Sequence, residues 1–170
     1  NTAAKANGKD PEIIRYYENG FNPSEKKIAE DGVSCTVCHQ ISNENLGKHS
    51  SFDGGYVITS SLPEQSKILG PYDIEAGLQR VMRSASSMIP EKGNHIQHSE
   101  LCATCHTLFT PAVDGEGNKI GEFAEQVPYL EWKHSEFSKS KSCQDCHMPE
   151  VTNKAQISSV LGDMRENVSQ

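Results

Sequence analysis

The stretch Ser142-Cys143-Gln144-Asp145-Cys146-His147-Met148-Pro149 holds two cysteines separated by two residues, with a histidine directly after the second. One copy of such a unit is compatible with a zinc site, a redox dithiol or a covalent cofactor anchor. The chain has three copies. Cys35-Thr36-Val37-Cys38-His39 is the first and Cys102-Ala103-Thr104-Cys105-His106 the second. All six cysteines fall inside these units, and three of the seven histidines occupy the same relative slot.

C-x-x-C-H is the attachment pattern of c-type haem. Each cysteine sulfur forms a thioether with one haem vinyl group. Two intervening residues let one turn of backbone set both sulfurs along one porphyrin edge, and the following histidine is the proximal iron ligand. The expectation is three haem c groups. Cys35, Cys38, Cys102, Cys105, Cys143 and Cys146 bind them, and His39, His106 and His147 are the proximal ligands. The rival readings fail on particular points. A structural zinc site takes four ligands, commonly two such pairs; three pairs fill one site and strand a pair, with no role for the regular histidines. A thioredoxin-like dithiol calls for one C-x-x-C after a strand in a βαβ setting. Cysteines at i and i+3 rarely define a disulfide framework.

A length of 170 residues favours one domain, 1–170, with a loose arm at 1–10 and a tail at 150–170. At 35% hydrophobic and 6% aromatic, the polypeptide alone builds a small core, and three large apolar haems are expected to complete it. The net charge is −7. This speaks against nucleic-acid binding, which needs a basic face, and favours redox partners, donor and acceptor, with basic patches. The plainer role of the charge is solubility. No apolar run approaches the roughly 20 residues needed to cross a bilayer. In bacteria, c-type haem is attached outside the cytoplasm, so a periplasmic or extracellular location is expected, with Asn1 a processed or trimmed end.

Along the chain, Asp10-Pro11 opens a helix over 11–19, and Asn22-Pro23 opens another to about residue 30. Residues 42–71 read as loop, with a short strand at 56–59. Ile74, Leu78, Val81 and Met82 fall on one face of a helix over 72–85. Residues 86–95 read as loop, and a helix from Ser99 carries the second motif. Asp114-Gly115-Glu116-Gly117-Asn118 centres a hairpin over 110–123. Pro128 opens a helix to about residue 138, and 152–168 is weakly helical. The fold expected is mainly α with much irregular loop, a multihaem cytochrome c fold built around three covalent haems, with one small β-hairpin.

Four histidines remain for the far side of the irons. In order of preference they are His95, His134, His98 and His49. Met82, Met88, Met148 and Met164 rank below them, since a helix-face methionine is more often core. Trp132, Tyr129 and Phe137 read as packing residues.

At this point a resemblance enters. "SELCATCHTLFTP", "EQVPYLEW" and "SCQDCHMP", with "GVSCTVCHQI" and "FDGGYVI" upstream, resemble bacterial multihaem c-type cytochromes of the class that includes the nitrifier tetrahaem electron carrier and hydroxylamine-oxidoreductase-like proteins. The likeness covers roughly residues 30–150. It implies closely packed haems that pass electrons in series, and His95 as an axial ligand. It also implies a further ligand-bearing segment after the third motif. The chain ends at Gln170 without one, which reads as a fragment, a truncated relative or a subunit of a larger multihaem assembly. Electron transfer is the leading function. The alternatives are a redox enzyme with one open iron acting on a small nitrogen or oxygen species, and a segment of an extracellular electron conduit.

Overall fold

The computed structural model describes residues 32–59, 66–156, 162, 164–166 and 168. The helices expected over 11–19 and 23–30 lie outside the described residues. Contacts within the chain divide it into two compact units, Asn1–Val37 and Cys38–Gln170.

Five α-helices are present among the described residues: α1 Cys35–Cys38, α2 Ala76–Ser86, α3 Ser99–Ala103, α4 Pro128–His134 and α5 Cys143–His147. The longest has 11 residues. Between them lie β1 Lys67–Gly70, β2 Ile89–Lys92, β3 Leu108–Val113, β4 Lys119–Gln126, β5 Ala155–Gln156 and β6 Met164–Arg165. They form three two-stranded sheets. The mainly α multihaem-cytochrome fold expected from the sequence is therefore corrected to a mixed arrangement of short helices and small sheets.

The physical reason lies in where helices can run. Pro71, Pro90 and Gly93 interrupt the stretch around α2, so the apolar residues flanking it pair as strands. β1 and β2 run parallel, with Lys67 opposite Ile89 and Gly70 opposite Lys92. A parallel pair needs a crossover, and α2 supplies it. α2 begins at Ala76 after Glu75 and ends at Ser87, which takes the left-handed conformation (φ 60°). No residue of α2 is buried, and Met82 is 43% exposed, so the apolar face drawn from its sequence is not core in this chain. The tail expected to be helical instead carries the β5–β6 pair. The strand expected at 56–59 is reduced to a single antiparallel bridge between Ile41 and Ile58.

The hairpin is where the sequence places it. β3 and β4 pair antiparallel, with Thr110 opposite Phe123. Asp114 closes the turn by accepting from the backbone N–H groups of Glu116 (2.9 Å) and Asn118 (2.8 Å). These bonds hold its carboxyl below the usual carboxylate range, the Asn118 backbone bond being the largest cause. α4 starts on Pro128 as expected but stops at His134. Ser135 turns extended there and its side chain accepts from Phe137 N–H, opening a separate 3₁₀ turn over Glu136–Lys139.

Two small apolar clusters make the core of the described residues. Ile41, Leu69, Ile96 and Leu101 form one, with Cys38, Leu46 and Tyr56 against it. Phe52, Ala103 and Tyr129 form the other, flanked by Phe109, Leu130 and Trp132. Both clusters contain a residue of α3, so the helix that leads into the second motif is the centre of the body. The turn at 52–55 is stapled to the exit from that motif. Asp53 N–H donates to Thr107 O (3.0 Å) and Gly54 N–H to Thr104 O (2.7 Å). A Cβ on Gly55 would sit 2.3 Å from the Ser50 carbonyl oxygen, so only glycine allows the backbone this close.

Candidate haem-attachment sites

Each motif sits on one turn of helix. α1 spans the first cysteine pair. In the second motif, α3 carries Cys102, and His106 N–H donates to Cys102 O at 2.9 Å, continuing the helical pattern. α5 comprises the whole third motif, Cys143–His147. On a helical turn, residues three and four apart are neighbours. The spacing therefore puts the first cysteine, the second cysteine and the histidine on one side.

None of the six cysteines is in a disulfide. Cys35, Cys105 and Cys146 are exposed, and Cys38, Cys102 and Cys143 are half-buried. Among the described residues, no three His, Cys, Asp or Glu side chains are grouped so as to hold a metal ion. A structural zinc site needs such a grouping. A haem iron takes four ligands from its porphyrin and asks only one or two of the protein.

The first motif is held by β1. Leu69 N–H donates to His39 O at 2.7 Å, and His39 Nδ1 donates back to Leu69 O. With Nδ1 committed to a backbone carbonyl, Nε2 is the nitrogen left available to a metal, the arrangement typical of metal-bound histidines. His106 and His147 are both exposed at the ends of their motifs. The paired thiols, their one-turn spacing and the His39 tautomer fit the covalent attachment of haem.

The second motif is framed by buried neighbours: Ser99, Leu101, Ala103, Thr104 and Thr107. Thr104 Oγ1 donates to Leu101 O (2.9 Å), whereas Thr107 Oγ1 is buried with no hydrogen-bond partner in the structure. Tyr129 is 3% exposed, and its hydroxyl donates to Glu100 Oε1 at 3.4 Å. Burial first, and then Glu100, push the Tyr129 phenol above its ordinary pKa. Burial also dominates at Cys102, whose thiol is pushed up to about 11, with Cys143, Cys38 and Cys105 adding to the effect.

The third motif is held by polar contacts. Ser142 accepts from Asp145 N–H, and Asp145 in turn accepts from Ser142 N–H (2.6 Å) and Ser142 Oγ (2.9 Å), a capping box. These bonds hold the Asp145 carboxyl below its usual range, that from the Ser142 backbone first. Cys143 N–H donates to Ser99 Oγ (2.9 Å). Gln144 Nε2 donates to Ile96 O (3.0 Å) and His98 O (2.9 Å).

The four remaining histidines fare differently. His95 Nε2 donates to Ile41 O at 2.8 Å, which leaves it Nδ1. His95 and His98 both line a cavity of about 630 Å³, with Leu46, Thr59, Leu69 and Glu100. His49 Nε2 lies 3.2 Å from Glu122 Oε2, and its ring packs 5.0 Å from that of Phe109. His134 Nδ1 donates to Leu130 O (2.7 Å), leaving Nε2, and the residue is exposed. Tyr129 and Trp132 stack at 5.7 Å as packing residues, while Phe137 is 67% exposed.

Leu69 and Ser99 did not stand out in the sequence. Each acts on a motif residue 30 or 44 positions away, and no local pattern signals such a contact. Among the described residues, no helix is long and apolar enough to cross a membrane. No family model, no curated protein and no solved structure matches this chain.

Proposed function

We propose that the chain is an electron-transfer protein carrying three covalently attached c-type haems. The observation that carries this reading is the set of three C-x-x-C-H units, each on a single helical turn with both thiols outside any disulfide. Cys35 and Cys38, Cys102 and Cys105, and Cys143 and Cys146 are the anchors. His39, His106 and His147 are the proximal ligands. When bound, each haem supplies an iron that cycles between ferric and ferrous. The chain's own residues fix position and ligand orientation. Leu69 holds the His39 ring through Nδ1, and the Ser142–Asp145 box fixes the turn that carries Cys146 and His147. His134 is the distal candidate best prepared to ligate through Nε2, since its Nδ1 is already committed. The resemblance to multihaem cytochromes and the acidic charge support an exported protein that exchanges electrons with redox partners.

A specific observation favours a second reading, an enzyme with one open iron. Two of the four distal candidates, His95 and His49, have Nε2 engaged by Ile41 O and Glu122. That leaves fewer distal histidines with an unengaged Nε2 than irons.

The test is the protein made with haem-maturation machinery and exported. Its mass should exceed that of the polypeptide by three haems, and low-temperature EPR of the oxidised form should show low-spin iron only. A stoichiometric high-spin signal would put the enzyme reading first. A polypeptide without added mass would end both.

A further inference from the structure

The second and third motifs meet where α5 docks on the start of α3. After burial, the Cys143 thiol is the largest influence that pushes the Cys102 thiol up. The contact is built into the backbone. Cys143 N–H donates to the hydroxyl of Ser99, which opens α3 three positions before Cys102 and is itself 1% exposed. The neighbouring Gln144 amide reaches two carbonyls, Ile96 O and His98 O, in the segment that leads into α3. Residues of the third motif thus dock directly onto the element that presents the second. In the first motif, His39 is held on β1 through Leu69.

A thioether fixes the rim of its haem to the sulfur that forms it. Two such cysteines on elements that dock together bring two rims together. We infer that the docking of α5 on α3 through Ser99 sets the second and third attachment sites side by side, so that the haems held by Cys102 and Cys143 form a closely spaced pair. The inference rests on the haem reading above and adds what the motifs alone leave open, which two sites adjoin.

The experiment uses the full haem-loaded chain, with haem content fixed by mass. Continuous-wave and pulsed EPR of the oxidised protein should show ferric haems with mutually broadened, fast-relaxing signals. In C143A/C146A the broadening should be lost from the remaining haem of the pair. In C35A/C38A it should persist. The wild-type spectrum alone can overturn the inference even if a variant fails to fold. Three haems by mass with three non-interacting signals would overturn the inference and leave the proposed function standing. So would coupling that vanishes in C35A/C38A and survives in C143A/C146A. No haem by mass would overturn the proposed function itself, an outcome distinct from the others.

Discussion

The second and third motifs share one five-residue plan and are held by different forces. The second grows from α3, whose Ser99, Leu101 and Ala103 are buried and belong to the centre of the body. The third sits on α5, which has no buried residue and is fastened by the Ser142–Asp145 box and by hydrogen bonds from Cys143 and Gln144. The difference teaches that the motif's chemistry is local and portable, whereas its placement is not. Packing fixes one copy and polar contacts fix the other.

The largest effect should come from attacking the packed copy. Leu101 is 8% exposed in the Ile41–Leu69–Ile96 cluster, so Leu101→Ala should cost about 2–5 kcal/mol through lost burial and an incompletely filled cavity. Urea unfolding measures it. A cost within a few tenths of a kcal/mol would mean that packing is not what embeds the second motif.

The next effect is chemical. In chain purified without haem, burial holds the Cys102 thiol near pKa 11 instead of 9.0. Its thiolate is then about 100-fold scarcer at pH 8 than that of an ordinary thiol, since thiolate is the reactive form. Site-resolved alkylation should find Cys102 slower than the exposed Cys146 of the other motif. Equal rates would erase the contrast between the two environments.

A smaller effect follows from loosening the polar copy. Ser142→Ala removes the cap of α5 and should cost about 1 kcal/mol. It should appear as faster hydrogen exchange at 143–147, with α3 unchanged. Protection lost equally in both motifs would show that they are held as one unit.

The smallest effect depends on pH. The Asp145 carboxyl is held below its ordinary value of 3.8 by its bonds to Ser142. A carboxyl with a depressed folded-state pKa contributes stability that is present above its unfolded pKa and is lost as pH falls through the folded one. Exchange protection in α5 should therefore weaken only below about pH 4, and Asp145→Asn should remove that pH dependence. Protection in α5 that falls already between pH 7 and 5 would assign the box to another titrating group.

Much of this was legible because it is local. Asp114 and the glycines around it close the β3–β4 turn within five residues, so the hairpin could be read at 110–123 and is found over Leu108–Gln126. Pro128 marks the start of α4 by the same logic, since a proline suits the first helical position. The β1–β2 pairing was not legible. It joins Lys67 to Ile89 across a helical crossover, and the short apolar runs at either end are equally compatible with loop. Nor was the bare face of α2 legible: its apolar periodicity predicts burial, but nothing in the periodicity says what lies opposite.

The sequence by itself determined the three C-x-x-C-H units, because two thiols and an imidazole at i, i+3 and i+4 meet within one turn of backbone whatever surrounds them. Tertiary structure alone decided that Cys143 N–H meets the Ser99 hydroxyl, that Leu69 takes Nδ1 of His39 and that Ile41 takes Nε2 of His95. Those contacts span 30 or more residues. They depend on how α3, α5 and β1 pack together, and no spacing within one segment encodes that.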